Sequence, residues 1–349
     1  MERVERMAPK RKFILGVVGA GMAAKPHAQA LNALRERIEV RGVWRRDAAA
    51  LRQFCEQYDF PAAPSFEALL ADPELDAILI LTPPNAREPF VAAAAAAGKH
   101  VLMEKPVERT TEAAARMVDI CERAGVTLGI IFQLRFRAAS KALAEKVASG
   151  ALGKLYAAHL SVPWWRPQQG YYDKPGRGSF AQDGGGVLIT QAIHSLDLML
   201  SLTGPVKSVT ALAATTGFHR IETEDFVAGG LEFVNGAVGG LMATTANFPG
   251  GPETITLNFE KASAILAGGN LTLKWFDGRE ETVGEASTSG GGADPMAFPF
   301  DWHMAQIEDF ADAVEASRQP VSTGHTALAV HRLIDALIAS SRQGRRVEV

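Results

Sequence analysis

Cysteine is nearly missing from this chain: 349 residues contain two, Cys55 and Cys121. They fall in stretches that read as separate helices and show no CxxC or Cys/His spacing. That argues for buried free thiols in a reducing compartment over a lone disulfide, and against a cysteine metal cluster. An excess of positive charge is missing too. The 36 Lys and Arg face 39 Asp and Glu, a net charge of −3, so no basic surface gathers nucleic acid by counterion release. No stretch reaches the roughly 20 apolar residues of a membrane span, and the run 13–18 is too short for a secretory apolar core. These absences predict a cytoplasmic protein that binds neither nucleic acid nor membrane. What remains is ordinary globular composition, 47% hydrophobic and 21% charged. It is spread over a length that favours two domains at about 100–200 residues each.

The first 130 residues alternate between short apolar runs and helical patterns. Phe13 to Val18, Val40 to Trp44, Asp76 to Thr82, Val101 to Met103 and Thr127 to Phe132 read as strands. Between them lie helices such as Met22 to Arg35, Ala48 to Tyr58, the six alanines Ala92 to Ala97 closed by Gly98, and Thr111 to Ala124. This alternation predicts a doubly wound parallel sheet with right-handed crossovers, a Rossmann-type α/β domain over residues 1–135. After about residue 150 the texture changes to strand-like runs joined by Gly, Asn and Pro turns, ending in two helices, Trp302 to Ser317 and Thr326 to Ser341. Residues 136–349 are therefore expected to form an α+β domain with a large, mostly antiparallel open sheet. Ser287 to Ala293 reads as a surface loop.

Gly19-Ala20-Gly21-Met22-Ala23-Ala24 is G-x-G-x-x-A, placed directly after a strand and opening a helix. Gly19 permits the tight turn, Gly21 lets a pyrophosphate approach the backbone, and the helix start at Met22 and Ala23 offers free N–H groups. Dinucleotide binding follows. The second strand ends in Trp44-Arg45-Arg46-Asp47, where NAD enzymes usually carry an acid. Two guanidiniums suit a 2′-phosphate, so Arg45 and Arg46 favour NADP over NAD; the plain alternative is a solvated strand end with Asp47 capping the next helix.

Further motifs carry a family resemblance. The third strand ends Thr82-Pro83-Pro84-Asn85, the next ends Glu104-Lys105-Pro106, and Gly184-Gly185-Gly186 leads into Thr190-Gln191-Ala192-Ile193-His194-Ser195-Leu196-Asp197. With the glycine turn, this resembles the glucose–fructose oxidoreductase, inositol dehydrogenase and MocA (Gfo/Idh/MocA) family, closely over about 13–136 and 183–205. The resemblance implies NAD(P)-dependent oxidation or reduction of a secondary hydroxyl of a sugar, glycoside or cyclitol. It implies that Thr82, Pro83, Asn85, Glu104 and Lys105 face the cofactor, that Lys105 also touches the substrate hydroxyl, and that His194 is the acid/base histidine. Two positions depart from the pattern: Thr190 stands where the family commonly has Asp, and Arg87 where it often has His. Relatives of this kind also include NAD-dependent glycosidases with a transient oxidation and non-catalytic dinucleotide- or sugar-sensing proteins, which are the alternative readings.

The residues also speak for themselves. Lys105 lies at the carboxyl end of a parallel strand, where α/β sheets place ligands and where desolvation tunes a base. His194 shares a helix with Gln191 and Asp197; Thr190 on the same face can hydrogen-bond but cannot act as a carboxylate. Asp197 is read equally as an orienting partner of His194 or as a backbone ligand, and Asp183 as a hydrogen-bonding partner of a substrate hydroxyl or, rather, as a helix cap. Trp165 and Arg166, in a loop with Tyr171 and Tyr172, suit the C–H face and hydroxyls of a saccharide. No ligand set for a metal stands out. Val209, Leu231 and Leu257, placed on an outer sheet face, predict a homodimer or homotetramer.

Overall fold

The computed structural model describes residues 11–21, 23–285 and 298–349; Met22 and the expected loop at Ser287 to Ala293 lie outside them. In the N-terminal half the elements run β1 (Phe13–Val18), α1 (Ala24–Ala33), β2 (Ile38–Trp44), α2 (Ala48–Tyr58), α3 (Phe66–Leu70), β3 (Ala77–Ile80), α4 (Glu88–Ala96), β4 (His100–Met103), α5 (Thr111–Arg123) and β5 (Leu128–Ile130). The five strands form one parallel sheet in the order β2-β1-β3-β4-β5. The strands β1, β3 and β5 are buried at every residue, as expected for a sheet covered on both faces. Asp47 caps α2 by accepting from the N–H groups of Ala49 and Ala50, and Thr110 caps α5.

The second half continues with α6 (Ala138–Ala148), β6 (Leu155–Pro163), a π-helical turn (Leu188–Ala192), α7 (Ile193–Thr203), β7 (Val206–Ala214), β8 (Phe226–Phe233), β9 (Val238–Thr244), β10 (Thr254–Phe259), β11 (Ala262–Ala267), β12 (Asn270–Trp275), β13 (Glu280–Val283), α8 (Asp301–Glu315), α9 (Gly324–Gln343) and β14 (Val347–Glu348). Nine strands build the second sheet in the order β13-β12-β11-β10-β6-β9-β8-β7-β14. Every pairing is antiparallel except β6 with β9. Helices α6, α7 and α9 lie against one face of it. The fold class read from the sequence is the observed one.

Two features differ from expectation. Val209, Leu231 and Leu257 point into the core and are all but inaccessible, so they do not form an outer face. The period-2 alternation puts their neighbours outside instead: Leu212, Ala228, Met242, Ser161 and Thr254 stand opposite one another in a row across five strands. Helix α8 does not stay with the second sheet. Its Ile307, Phe310 and Ala311 join β1 and α1 in a common apolar cluster, with Phe310 edge-on to Phe13 at 6.3 Å. Apolar periodicity shows that a helix has a buried face, not which sheet it will cover.

Cys55 and Cys121 are buried free thiols. Among the described residues no helix is long and apolar enough to cross a membrane.

Asp197 settles against neither His194 nor the backbone. It is fully buried and receives both Nε and Nη2 of Arg135, at 2.6 and 2.7 Å. A fork-to-carboxylate pair of this kind stabilises only as a pair, since the remaining charge has no water. Arg135→Ala is expected to cost about 3–5 kcal/mol of stability, read as a lower urea midpoint; a change below about 1 kcal/mol would mean that water or another cation takes the arginine's place.

Candidate active site

A cavity of about 540 Å³ opens at the carboxyl ends of the parallel strands, where an open α/β sheet binds ligands. One end is the glycine turn. Gly19 has φ +96°, and a Cβ there would meet the Leu81 carbonyl carbon at 2.9 Å, so the turn admits no side chain. A Cβ on Gly21 would meet nothing within 4 Å. Gly21, Ala23, Thr82, Pro83 and Asn85 line the cavity, and the Thr82 hydroxyl is buried with no partner among the described residues. An open backbone edge and an unused hydroxyl at a helix start fit the diphosphate and ribose of a dinucleotide.

Arg45 donates to the Ala20 carbonyl at 2.7 Å, which fixes its side chain beside the turn. Neither Arg45 nor Arg46 lines the cavity, and Arg46 is exposed. Asp47 spends its carboxylate on the α2 cap.

The strand ends are tied together by Arg87. Its guanidinium is buried and donates to backbone carbonyls of Thr82, Glu104, Lys105 and Pro106, clasping the end of β3 to the end of β4. Burial lowers its affinity for the proton to a pKa of about 10, with Glu104 and Glu108 opposing; it remains a cation.

Glu104 is equally enclosed. Burial opposes its ionisation, yet the His27 hydrogen bond and the nearby Lys105 charge hold its carboxyl well below the usual range. His27 Nε2 donates to it at 2.7 Å and the Lys105 N–H at 3.1 Å. His303 sits edge-on to His27 at 4.8 Å, and burial pushes its pKa down to about 3. His27, Glu104 and His303 bring ligand-type atoms within 4.8 Å of one another, and a direct hydrogen bond joins the first two.

Lys105 and His194 both line the cavity. The Lys105 ammonium donates to the Thr190 carbonyl at 3.0 Å. Desolvation brings its pKa down to about 8, partly opposed by Glu104 and reinforced by Arg177 and Arg87. His194 is pushed well below its ordinary range by burial and then by the Lys105 charge, which leaves it neutral at pH 7. Its Nδ1 has no partner among the described residues, and its ring stands edge-on to Phe132.

The π-helical turn at Leu188–Ala192 contains Thr190 and precedes His194, so the spacing from Thr190 to His194 is not that of one regular α-helix. It offers the Thr190 carbonyl to Lys105, while the Thr190 hydroxyl turns back to Gly186 at 2.7 Å. The turn is capped by Glu224, which accepts from Gly186 and Leu188, and not by Asp183. Asp183 instead accepts from the Gly178 N–H at 2.8 Å.

The far wall comes from the segment after β6. Chain alternation turns Trp164 and Arg166 into the cavity and Trp165 away from it. Trp165, expected at the substrate, packs against Phe218, His219 and Phe248. Arg166 lies over the rings of Trp164 and Tyr171 and donates to Gln191 Oε1 at 3.1 Å; Gln191 in turn donates to the Tyr171 hydroxyl at 2.7 Å. Lys174, Arg177, Trp302 and His303 also line the space. None of these four carried a motif; only the fold shows that they converge.

Known proteins match both halves. A model for an oxidoreductase family with an NAD-binding Rossmann fold matches residues 13–132, and one for the GFO/IDH/MocA C-terminal domain matches residues 140–265. The chain is 31% identical over 265 residues to a 1,5-anhydro-D-fructose reductase of Ensifer adhaerens, covering 74% of this chain and 75% of that one. It is 28% identical over 343 residues to D-xylose 1-dehydrogenase (NADP(+)) 2 of Haloferax volcanii, 97% of this chain and 100% of the relative. The crystal structure of the WlbA dehydrogenase of Bordetella pertussis in complex with NADH and UDP-GlcNAcA superposes with a TM-score of 0.81 at 28% identity, over 97% of this chain and 99% of that one. With its glycine turn, its Glu104-Lys105-Pro106 strand end and both halves matched, the chain belongs to the Gfo/Idh/MocA family of oxidoreductases.

Proposed function

We propose that this protein transfers hydride between a nicotinamide dinucleotide and a secondary hydroxyl of a sugar, glycoside or cyclitol. The observation that carries this reading is a desolvated Lys105 between an open glycine turn and a polar, aromatic-lined wall in one cavity. Gly21, Ala23, Thr82, Pro83, Asn85 and Glu104 would hold the cofactor, whose nicotinamide supplies the hydride acceptor. The rest falls to the chain. The Thr190 carbonyl orients the Lys105 amine, which takes the hydroxyl proton in its neutral form. Neutral His194, whose Nδ1 has no partner among the described residues, would pass that proton on. Arg166, Gln191 and Thr190 present hydrogen-bonding groups to the sugar, and the Trp164 and Tyr171 rings close the wall around it. Lys105 is neutral above its pKa of about 8, so sugar oxidation should rise with pH through that value and level off above it. Lys105→Ala should lower kcat by about 10²–10⁴ with cofactor affinity within a few-fold. A panel of D-xylose, D-glucosides, myo-inositol and 1,5-anhydro-D-fructose, read by NAD(P)H absorbance, tests the activity. Near-normal turnover of the lysine variant would remove it from the chemistry.

We propose NADP as the preferred cofactor. Arg45 is fixed beside the turn, and the one acid at this strand end is committed to a helix cap. A charge-assisted hydrogen bond at this partly exposed edge is worth a roughly 10–100-fold preference. Arg45→Asp should reverse it. A wild type that favours NAD, with no change in the variant, would reduce the arginines to a solvated strand end.

We also propose a homo-oligomer, dimer or tetramer, formed across the face of the nine-stranded sheet that no helix among the described residues covers. Leu212 and Val238 are exposed there among Gly230, Gly240, Ala228 and Met242, a smooth apolar surface that a second copy can cover. A monomeric mass by light scattering at micromolar concentration would contradict this, as would Leu212→Glu leaving an oligomer intact.

A further inference from the structure

His219 and Asp225 form a fully enclosed pair in the second half of the chain, both side chains at 0% exposure. His219 Nδ1 lies 2.6 Å from Asp225 Oδ2, and Nε2 lies 2.7 Å from the Arg166 carbonyl oxygen. Asp225 also accepts from the Thr216 N–H and hydroxyl, both at 2.7 Å. Burial opposes its ionisation, but the His219 and Thr216 hydrogen bonds outweigh this and hold the carboxyl below its ordinary range. Both partners of the ring are then hydrogen-bond acceptors with no hydrogen of their own. A neutral imidazole carries one N–H and can serve only one of them. The ring thus bridges the Asp225 carboxylate and the Arg166 carbonyl, and the bridge is complete only with a hydrogen at each of the two contacts. The rings of Tyr172, at 4.7 Å, and Trp165, at 5.9 Å, face it from the other side.

We propose that His219 is a positioning residue of the substrate wall: as an imidazolium anchored on Asp225 it grips the Arg166 carbonyl and so fixes the Arg166 guanidinium toward the sugar. The backbone of Arg166 is held at two points. Its N–H donates to the Thr245 carbonyl at 2.9 Å and its carbonyl accepts from His219. The Thr245 N–H in turn donates to the Asp225 carbonyl, and its hydroxyl pairs with Tyr172 at 2.7 Å. One acid thus organises the backbone of both strand ends behind the wall. In front of it, the Arg166 side chain reaches Gln191, three residues before His194. Release of the carbonyl would let Arg166 rotate off the Trp164 and Tyr171 rings and out of register with Gln191. The chemistry at Lys105, on the other side of the cavity, would be untouched.

This inference rests on the reading that the cavity takes a sugar, and two measurements keep the two apart. In ring-¹⁵N-labelled wild type at pH 7, without substrate, His219 should show two protonated ring nitrogens; one protonated and one bare nitrogen would overturn the proposal whatever the substrate. The second measurement compares variants, with whichever panel sugar turns over. Asparagine reaches about as far as Nδ1 and glutamine about as far as Nε2. His219→Asn should keep the Asp225 contact, lose Arg166 and raise the sugar KM about tenfold, the size of one hydrogen bond to a charged group. Its kcat and NADPH affinity should stay within about threefold. His219→Gln, which still reaches Arg166, should restore KM to within about threefold of wild type. Equal KM in all three proteins, or parallel loss of sugar and NADPH binding, would make His219 a structural residue only. Turnover of no sugar would strike the functional proposal and leave the ring's protonation standing.

Discussion

The site depends on one buried guanidinium. A parallel strand ends with carbonyls that have no partner further along the sheet, and here two strand ends meet in a cavity that must stay open for ligands. Arg87 satisfies the carbonyls of Thr82, Glu104, Lys105 and Pro106 from below. Its planar fork can serve several acceptors at once while remaining charged, which a histidine at this position could not do. The glycine turn, Glu104 and Lys105 are all set by where those two strand ends lie. The charge that ties them also disfavours a second cation nearby, and that contributes to the lowered proton affinity of Lys105.

Charge is handled unevenly along the cavity. Beneath the strand end, Glu104 is kept ionised by His27 and by its neighbour Lys105, while His303 and His194 are kept neutral by burial. Behind the far wall a second acid, Asp225, is kept ionised by His219. In each case a carboxylate without water is supported by a histidine and by backbone N–H or hydroxyl donors, in keeping with the cost of leaving a buried charge unpaired. The Lys105 ammonium donates to a carbonyl and not to a carboxylate, so the effect of burial on its proton is only partly opposed.

Much of this was legible in the residues. Period and punctuation gave the five parallel strands, because strands buried on both faces are continuous apolar runs and the loops carry glycine. Gly19, Gly21, Thr82, Lys105 and His194 were legible because motifs fix them locally. Side-chain facing was harder. Trp164 and Trp165 are adjacent aromatics, and which one enters the cavity is decided by the bridge between Trp165 and Ala246, a contact far away in the chain. The same parity misplaced Val209, Leu231 and Leu257. The partners of Asp183 and Asp197 have no sequence signal, because the Gly178 N–H and Arg135 belong to a loop and a turn with no pattern of their own. The π-turn has no compositional mark at all.

Helix α8 has a consequence for how the chain is made. It supplies Ile307, Phe310 and Ala311 to a core whose other members are complete by residue 131. As the polypeptide leaves the ribosome, the nucleotide domain is fully synthesised while one of its apolar faces still lacks its cover, and some 170 residues must follow before that cover arrives. Vectorial folding of the two halves is therefore not independent. Until then the apolar surface around Phe13 lacks the ring of Phe310 that covers it in the finished fold, the kind of transiently open apolar face that favours non-native contacts.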